Sequence, residues 1–175
     1  MSIKNAVHKR AGILRDIVFS ANDGIITTYA IIAGVQGASL SPRIVVILGM
    51  VNLFADSIAM ATGNYLGIKS EIEYEETMGK HKINDSAFSH AIVTFLTFIV
   101  LGFIPLVPYV FNFNFAFFCS SVLVVLILLG VGFFRGTITK RGWFRSGIEM
   151  LLVGGLAAVV AYIVGFSIDK YLLSA

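Results

Sequence analysis

The stretch RDIVFSANDGIITTYAIIAGVQG, residues 15–37, determines how this chain must fold. It is apolar enough to cross a bilayer from about residue 17 to residue 38, because a transmembrane helix needs roughly 20 mostly apolar residues. Polar side chains nevertheless recur along it at spacings of 4, 3 and 4 residues: Asp16, Ser20, Asp23 and Thr27. In a helix these side chains share one face. We therefore expect that face to contact another helix or a water-filled path, and not lipid.

The remainder of the chain has the composition of a polytopic membrane protein embedded in lipid. Of 175 residues, 57% are hydrophobic and only 13% are charged, with a mean hydropathy of +0.88, which excludes a soluble domain. The net charge of +3 comes from basic residues between apolar stretches, a topology signal that does not indicate binding to nucleic acid. The sequence predicts an all-α fold and a single membrane domain, residues 1–175. Its five predicted transmembrane helices cover approximately residues 17–38, 44–68, 91–111, 113–134 and 147–168.

The distribution of basic residues predicts the orientation in the membrane. Segments 1–15, 69–89 and 135–146 fall on one side of a five-span chain and contain 11 of its 13 Lys and Arg residues. Because cytoplasmic loops are enriched in Lys and Arg, the N-terminus and these loops are predicted to be cytoplasmic, with the C-terminus on the far side. No cleavable signal peptide is recognisable. We expect the plasma membrane of a prokaryote, with an organelle membrane as the alternative.

A second face of this kind is predicted on the second span. Side chains with oxygen or sulfur atoms that can bind a metal ion recur there every four residues: Asn52, Asp56, Met60 and Asn64. The short connection at residues 39–42 makes the first two spans antiparallel neighbours. Carboxylate and amide oxygens with one thioether suit Fe²⁺ or Mn²⁺ better than Na⁺ or Ca²⁺. A carboxylate in a low-dielectric site also binds a proton more readily than one in water, so it could exchange a proton for a metal ion.

Several of these residues have simpler structural explanations. Asp23 could join two helices without binding any ligand. Met60 could fill a gap in an apolar core, which is the usual role of methionine. Gly63 and Gly67 form a small-xxx-small pair suited to close helix packing.

The later spans offer fewer polar groups. The third and fourth are expected to be a lipid-facing scaffold, and His90, at the start of the third, is expected at the membrane interface and not as a ligand. Glu149 lies one turn inside the fifth span. It could pair with a loop arginine or line a path through the membrane.

The acidic segment 69–89 contains Glu71, Glu75 and Met78 at the i, i+4, i+7 spacing of one helix face. This spacing predicts that the second span continues as a helix into water. The segment is either an ordinary solvated charge run or an acidic collar that gathers cations at a pore mouth.

Three segments resemble the vacuolar iron transporter family. Residues 15–38, RDIVFSANDGIITTYAIIAGVQGA, are similar to its first-helix signature, and residues 50–71, MVNLFADSIAMATGNYLGIKSE, to its second-helix signature. Residues 141–165, RGWFRSGIEMLLVGGLAAVVAYIVG, resemble its last helix. The resemblance implies a homodimer whose first helices line a metal path along the twofold axis. It also implies that Fe²⁺, and often Mn²⁺, leaves the cytoplasm in exchange for protons, without a bound cofactor.

The resemblance also implies roles for individual residues. Asp23 would be the mid-membrane metal ligand of the first helix, Met60 its partner on the second, and Asp16 the carboxylate on the cytoplasmic side. The family usually has a glutamate eight residues before the methionine. This chain has Asn52 there, and Asp56 would supply the carboxylate one turn later.

The chain resembles a short form of that family. Well-known members carry a large Glu- and Met-rich helical domain between the second and third spans, whereas segment 69–89 has only 21 residues. Glu71, Glu75 and Met78 would recruit metal in a reduced version of that domain.

The functional hypothesis is therefore a transporter that exports Fe²⁺ or Mn²⁺ and is coupled to proton entry. A passive metal channel and a non-transporting membrane scaffold are the alternatives. We do not expect an enzyme, because the chain shows neither a nucleophile paired with a base nor a metal motif of the HExxH type.

Overall fold

The computed structural model describes residues 3–79, 86–140 and 142–173, and this part of the chain contains helices and no strand. Five of its helical segments are long and apolar enough to cross a membrane, which confirms the predicted all-α fold with five transmembrane helices. The helices are α1 (Ile3–Gly37), α2 (Pro42–Thr77), α3 (Ala87–Phe103), α4 (Val107–Val110), α5 (Ala116–Ile138) and α6 (Trp143–Ile168). A 3₁₀ turn, Ile104–Leu106, joins α3 to α4, and a π-helical turn, Asp169–Leu173, follows α6.

The first two helices continue well beyond the predicted spans. α1 begins at Ile3, so the basic N-terminal segment and the first span are one helix. α2 begins with Pro42 at its first position, where the missing N–H has no intrahelical partner to lose. It continues to Thr77, which confirms that the acidic segment extends the second span as a helix. Residues 80–85 of that segment lie outside the described residues.

The third and fourth spans are separated by a tight reversal. Proline interrupts regular helical hydrogen bonding at Pro105 and Pro108, where the 3₁₀ turn and the short helix α4 occur. Asn112 and Phe115 then adopt left-handed backbone conformations, with φ of 51° and 58°. The buried hydroxyl of Ser120 donates a hydrogen bond of 2.8 Å to the carbonyl of Pro105, which ties α5 to the 3₁₀ turn that follows α3.

Helix α1 is central, because it packs against α2, α3, α5 and α6. One buried apolar cluster joins α1 and α2 to the third span and includes Ile32, Leu53 and Phe98. A second cluster joins α1 to α5 and α6 and consists of Ile25, Val124, Leu128 and Met150. The packed helices therefore fix the first span on several sides.

The expectation that the third span is lipid-facing scaffold is wrong. α3 packs closely against both α1 and α2 and buries a stripe of every fourth residue: His90, Thr94, Phe98 and Gly102. Glycine permits this approach, because a Cβ placed on Gly24 of α1 would come within 2.8 Å of the carbonyl oxygen of Phe98. Small residues at such crossings allow the close van der Waals packing that holds membrane helices together.

Candidate metal-transport site

A cavity of about 770 Å³ opens beside α1 and α2 and brings the two predicted polar faces together. Its polar and sulfur-containing lining includes Asp16, Asp23, Asp56, Met60, Asn64 and Glu71. Because α1 and α2 are antiparallel, Asp16 lies at the same end of the cavity as Glu71. Asp23 lies deeper, about 10 Å further along α1 by helix rise, near the middle of α2.

Asp23 is half-buried on the cavity wall. The hydroxyl of Thr27, one turn later on the same helix, donates to its Oδ1 over 3.4 Å. This hydrogen bond lies within α1, so it does not join Asp23 to a neighbouring helix. The carboxylate is thus directed at the cavity and retains lone pairs that can accept a proton or bind a cation.

Asp56 faces the same cavity from α2 and is held by Asn52. The side-chain amide of Asn52 donates a hydrogen bond of 2.7 Å to Asp56 Oδ2. Asn52 itself is not part of the cavity lining that includes Asp56 and Met60. The geometry therefore makes Asn52 a residue that orients a carboxylate and not one that faces the cavity.

Met60 both lines the cavity and packs against the apolar core. Its side chain lines the cavity between Asp56 and Asn64. It also packs against the apolar cluster that contains Leu53 and Phe98. A thioether in this position can present its sulfur to the cavity while its methylene groups fill core space.

Asp16 is buried, and both of its carboxylate oxygens have protein partners. Arg15 Nη2 lies 3.1 Å from Oδ1, and His90 Nδ1 makes a short contact with Oδ2. Buried charges are normally compensated in this way. The side chain of Asp16 is only 3% exposed, although the residue also borders the cavity.

The prediction that His90 is an interfacial residue is wrong, because its side chain is only 1% exposed and contacts Asp16. The packing of α3 against α1 carries it inward. Gly12 leaves room for its ring, since a Cβ on Gly12 would lie 2.9 Å from His90 Cε1. The signal in the sequence was the four-residue spacing of His90 and Thr94, which places two polar residues on the buried face of α3.

The predicted glycine pair does not pack against another helix among the described residues. Gly63 and Gly67 line the cavity, and a Cβ on either would meet nothing within 4 Å. The wall of the cavity next to these residues is therefore open.

Asn64 joins α2 to α3 beside the cavity. Its side-chain amide donates a hydrogen bond of 2.8 Å to the hydroxyl of buried Thr94.

Of the three residues predicted to recruit metal, only Glu71 borders the cavity. Glu75 and Met78 lie further along, at the end of α2, and Met78 is exposed. In the described part of the chain, no three His, Cys, Asp or Glu side chains are grouped closely enough to hold a metal ion. A complete ligand set would need the thioether, amide oxygens or a second copy of the chain.

Glu149 lies apart from this cavity and pairs with Arg135, which belongs to the last turn of α5 and not to a loop. Arg135 Nη1 is 3.5 Å from Glu149 Oε2. Of the two alternatives for Glu149, the structure favours the ion pair.

The fold and the cavity together define an integral membrane protein with five transmembrane helices and an acidic, thioether-containing cavity beside the first two. The chain belongs to the VIT family, whose family model matches residues 14–83 and 74–166.

Similar curated proteins cover nearly the whole chain at low identity. It is 24% identical to the vacuolar iron transporter of Plasmodium berghei, over 87% of this chain and 81% of that protein. It is 24% identical to vacuolar iron transporter 1 of Eucalyptus grandis, over 89% and 86%. It is 27% identical to vacuolar iron transporter homolog 3 of Arabidopsis thaliana, over 88% and 82%. The Plasmodium alignment spans 222 residues, so that relative contains residues with no counterpart in this chain of 175.

Proposed function

We propose that this protein transports a divalent transition-metal ion, Fe²⁺ or Mn²⁺, across the membrane. Membership of the VIT family and relatives named vacuolar iron transporters support a metal-transport role. The observation that carries the choice of ion is the cavity in which Asp23 and Asp56 meet the thioether of Met60. Carboxylate oxygens with a sulfur ligand favour first-row transition metals over Na⁺ or Ca²⁺. In this proposal the metal ion is the cargo, no cofactor is needed, and the protein is not an enzyme.

The arrangement of the carboxylates supports a path for export. Glu71 and Asp16 lie at the end of the cavity that the charge distribution predicts to be cytoplasmic. A cation attracted there would reach Asp23 and Met60 deeper in the membrane. Asp23 and Asp56 in this low-dielectric path can each hold either a proton or part of the charge of the metal ion, so proton entry would drive metal exit.

A second copy of the chain would complete the path. The open wall of the cavity adjoins an exposed stripe of small residues on α2, four residues apart: Ala55, Ala59, Gly63 and Gly67. Small residues allow close helix contact in membranes, so a partner subunit could close the cavity here. This feature supports the proposed homodimer, with a metal path between the subunits.

The membrane is proposed to be the plasma membrane of a prokaryote. Some relatives are named as vacuolar, and an organelle membrane is the alternative.

Reconstituted liposomes test this proposal directly. The lumen is made acidic, Fe²⁺ or Mn²⁺ is added outside, and uptake is followed with a fluorescent indicator. We expect the metal ion to be taken up much faster with the pH gradient than without it. The luminal pH should rise as uptake proceeds. Uptake at the same rate without the gradient would instead indicate a passive channel. No uptake of either metal would leave a scaffold protein that shares the fold of the family.

Met60→Leu tests the thioether in the same liposomes. We expect slower uptake of Fe²⁺ and Mn²⁺, because leucine keeps the core volume but removes the sulfur ligand. Met50→Leu is the matched control, since Met50 is also a half-buried residue of α2 packed against the same apolar cluster, but it does not line the cavity. Equal transport by the two variants would assign Met60 to core packing alone.

A further inference from the structure

A second cavity, of about 470 Å³, lies on the side of α1 that faces α5 and α6. Its lining is largely apolar and includes Leu14, Val18 and Val153. Arg15 and Phe19 of α1 form the ridge between this cavity and the acidic one, since they line both. We call the second cavity the lateral groove.

The lateral groove continues into a basic mouth at the predicted cytoplasmic end. A further cavity of about 1100 Å³ is lined by Arg135, Thr139, Arg145 and Glu149, among others. Arg135, Thr139 and Glu149 also line the lateral groove, so the two cavities are continuous. Arg15, Arg135 and Arg145 border this continuous space. Among the described residues that line it, Glu149 is the one carboxylate.

The charges at the mouth remain available to a ligand. Arg135 pairs with Glu149 over 3.5 Å, yet its side chain is still 34% exposed. Arg145 is exposed and adds a second guanidinium on the same mouth. Guanidinium groups bind phosphate through two parallel hydrogen bonds, and Arg is favoured over Lys where phosphate is recognised at an interface.

The dimensions of the groove match one leaflet of a bilayer. On α1 it extends from Ala11 to Asn22, which is roughly 16 Å by helix rise. That is about half of the ~30 Å hydrocarbon thickness. A ligand with a phosphate at one end and a hydrocarbon chain of leaflet length fits both parts of this space. Anionic lipids are enriched in the cytoplasmic leaflet, where basic pockets between transmembrane helices recognise their headgroups.

We propose that the lateral groove binds one anionic phospholipid, with its phosphate between Arg135 and Arg145 and an acyl chain against Leu14, Val18 and Val153. The bound lipid would lie between α1, α5 and α6 and would stabilise the position of α1. The linings of this site contain none of Asp23, Asp56 or Met60, so it is distinct from the proposed metal-binding position, although Arg15 and Phe19 border both cavities.

Native mass spectrometry of the protein released from nanodiscs tests this proposal. In nanodiscs with equal amounts of phosphatidylglycerol and phosphatidylcholine, we expect retention of phosphatidylglycerol. Arg145→Gln should lower the retained fraction by about fivefold, the factor typical of one basic residue near an anionic membrane. Lys69→Gln is the matched control, because Lys69 is exposed and lies on α2 outside the groove. Val18→Trp, which fills the apolar part, should also reduce retention.

Several results would overturn the proposal. Equal retention of the two lipids, or equal loss in Arg145→Gln and Lys69→Gln, would show ordinary boundary lipid. Displacement of the lipid by millimolar inorganic phosphate in wild type, with no effect of Val18→Trp, would show a site for a free anion. A change of oligomeric state in Arg145→Gln without loss of lipid would show that a second copy of the chain occupies the groove.

Discussion

Asp23→Asn should abolish proton-driven uptake of Fe²⁺ and Mn²⁺ in liposomes while leaving the protein folded. The substitution keeps the shape of the side chain and its ability to accept a hydrogen bond from Thr27 over the same 3.4 Å contact. In the proposed function, it removes the charge that attracts the metal ion and the group that can exchange it for a proton. Loss of an outer-shell partner alone typically lowers metal affinity by about 10–100-fold, so loss of a direct ligand should lower uptake by at least that much.

One control variant and one stability measurement make this result decisive. Glu73→Gln removes a carboxylate from the exposed end of α2, where Glu73 pairs with Lys69 outside the cavity, and it should transport normally. The thermal midpoint of Asp23→Asn in detergent distinguishes a transport role from a structural one. A large drop in the midpoint would favour the alternative that Asp23 joins helices. Normal uptake by a folded Asp23→Asn variant would remove Asp23 from the metal path.

His90→Leu should be strongly destabilising, because it leaves the buried carboxylate of Asp16 without one of its two partners. Removing one partner of a buried charged pair typically costs about 3–5 kcal/mol. Arg15 still contacts Asp16, so we expect the lower end of that range. The free energy of unfolding, measured in mixed micelles, should fall by about 3 kcal/mol.

A double-mutant cycle separates this contact from simple packing. Asp16→Asn combined with His90→Leu should recover most of the lost stability, since no buried charge remains uncompensated. Phe88→Leu, at a 66% exposed position in the same turn of α3, should change stability little. If the effects of Asp16→Asn and His90→Leu are simply additive, the contact between these two side chains does not contribute to the fold.

The polar faces of α1 and α2 could be predicted because each depends only on helical periodicity. Asp16 and Asp23 recur on one face of α1, and Asp56 and Met60 on one face of α2, whatever the rest of the chain does. The short connection between the helices then required the two helices to be antiparallel neighbours. The continuation of α2 into the acidic segment followed from the same periodicity at Glu71 and Glu75.

The position of His90 could not be predicted in this way. A histidine at the start of an apolar helix is compatible with water, lipid or a neighbouring helix, and its own helix does not decide among them. The outcome depends on how far α3 approaches α1, which is set by glycines on both helices. The same reason explains Gly63 and Gly67, whose motif allows close packing but against which no described part of this chain packs.

The sequence by itself determined the membrane class, the number of spans and the two polar helix faces, because hydrophobic length and helical period are local properties of the chain. The tertiary structure decided which groups those faces meet. It buried Asp16 against His90 of α3, and it paired Glu149 of α6 with Arg135 of α5, away from the acidic cavity. These two pairings depend on interhelical distances of a few ångströms, which come from the packing of whole helices and are not encoded in any one segment.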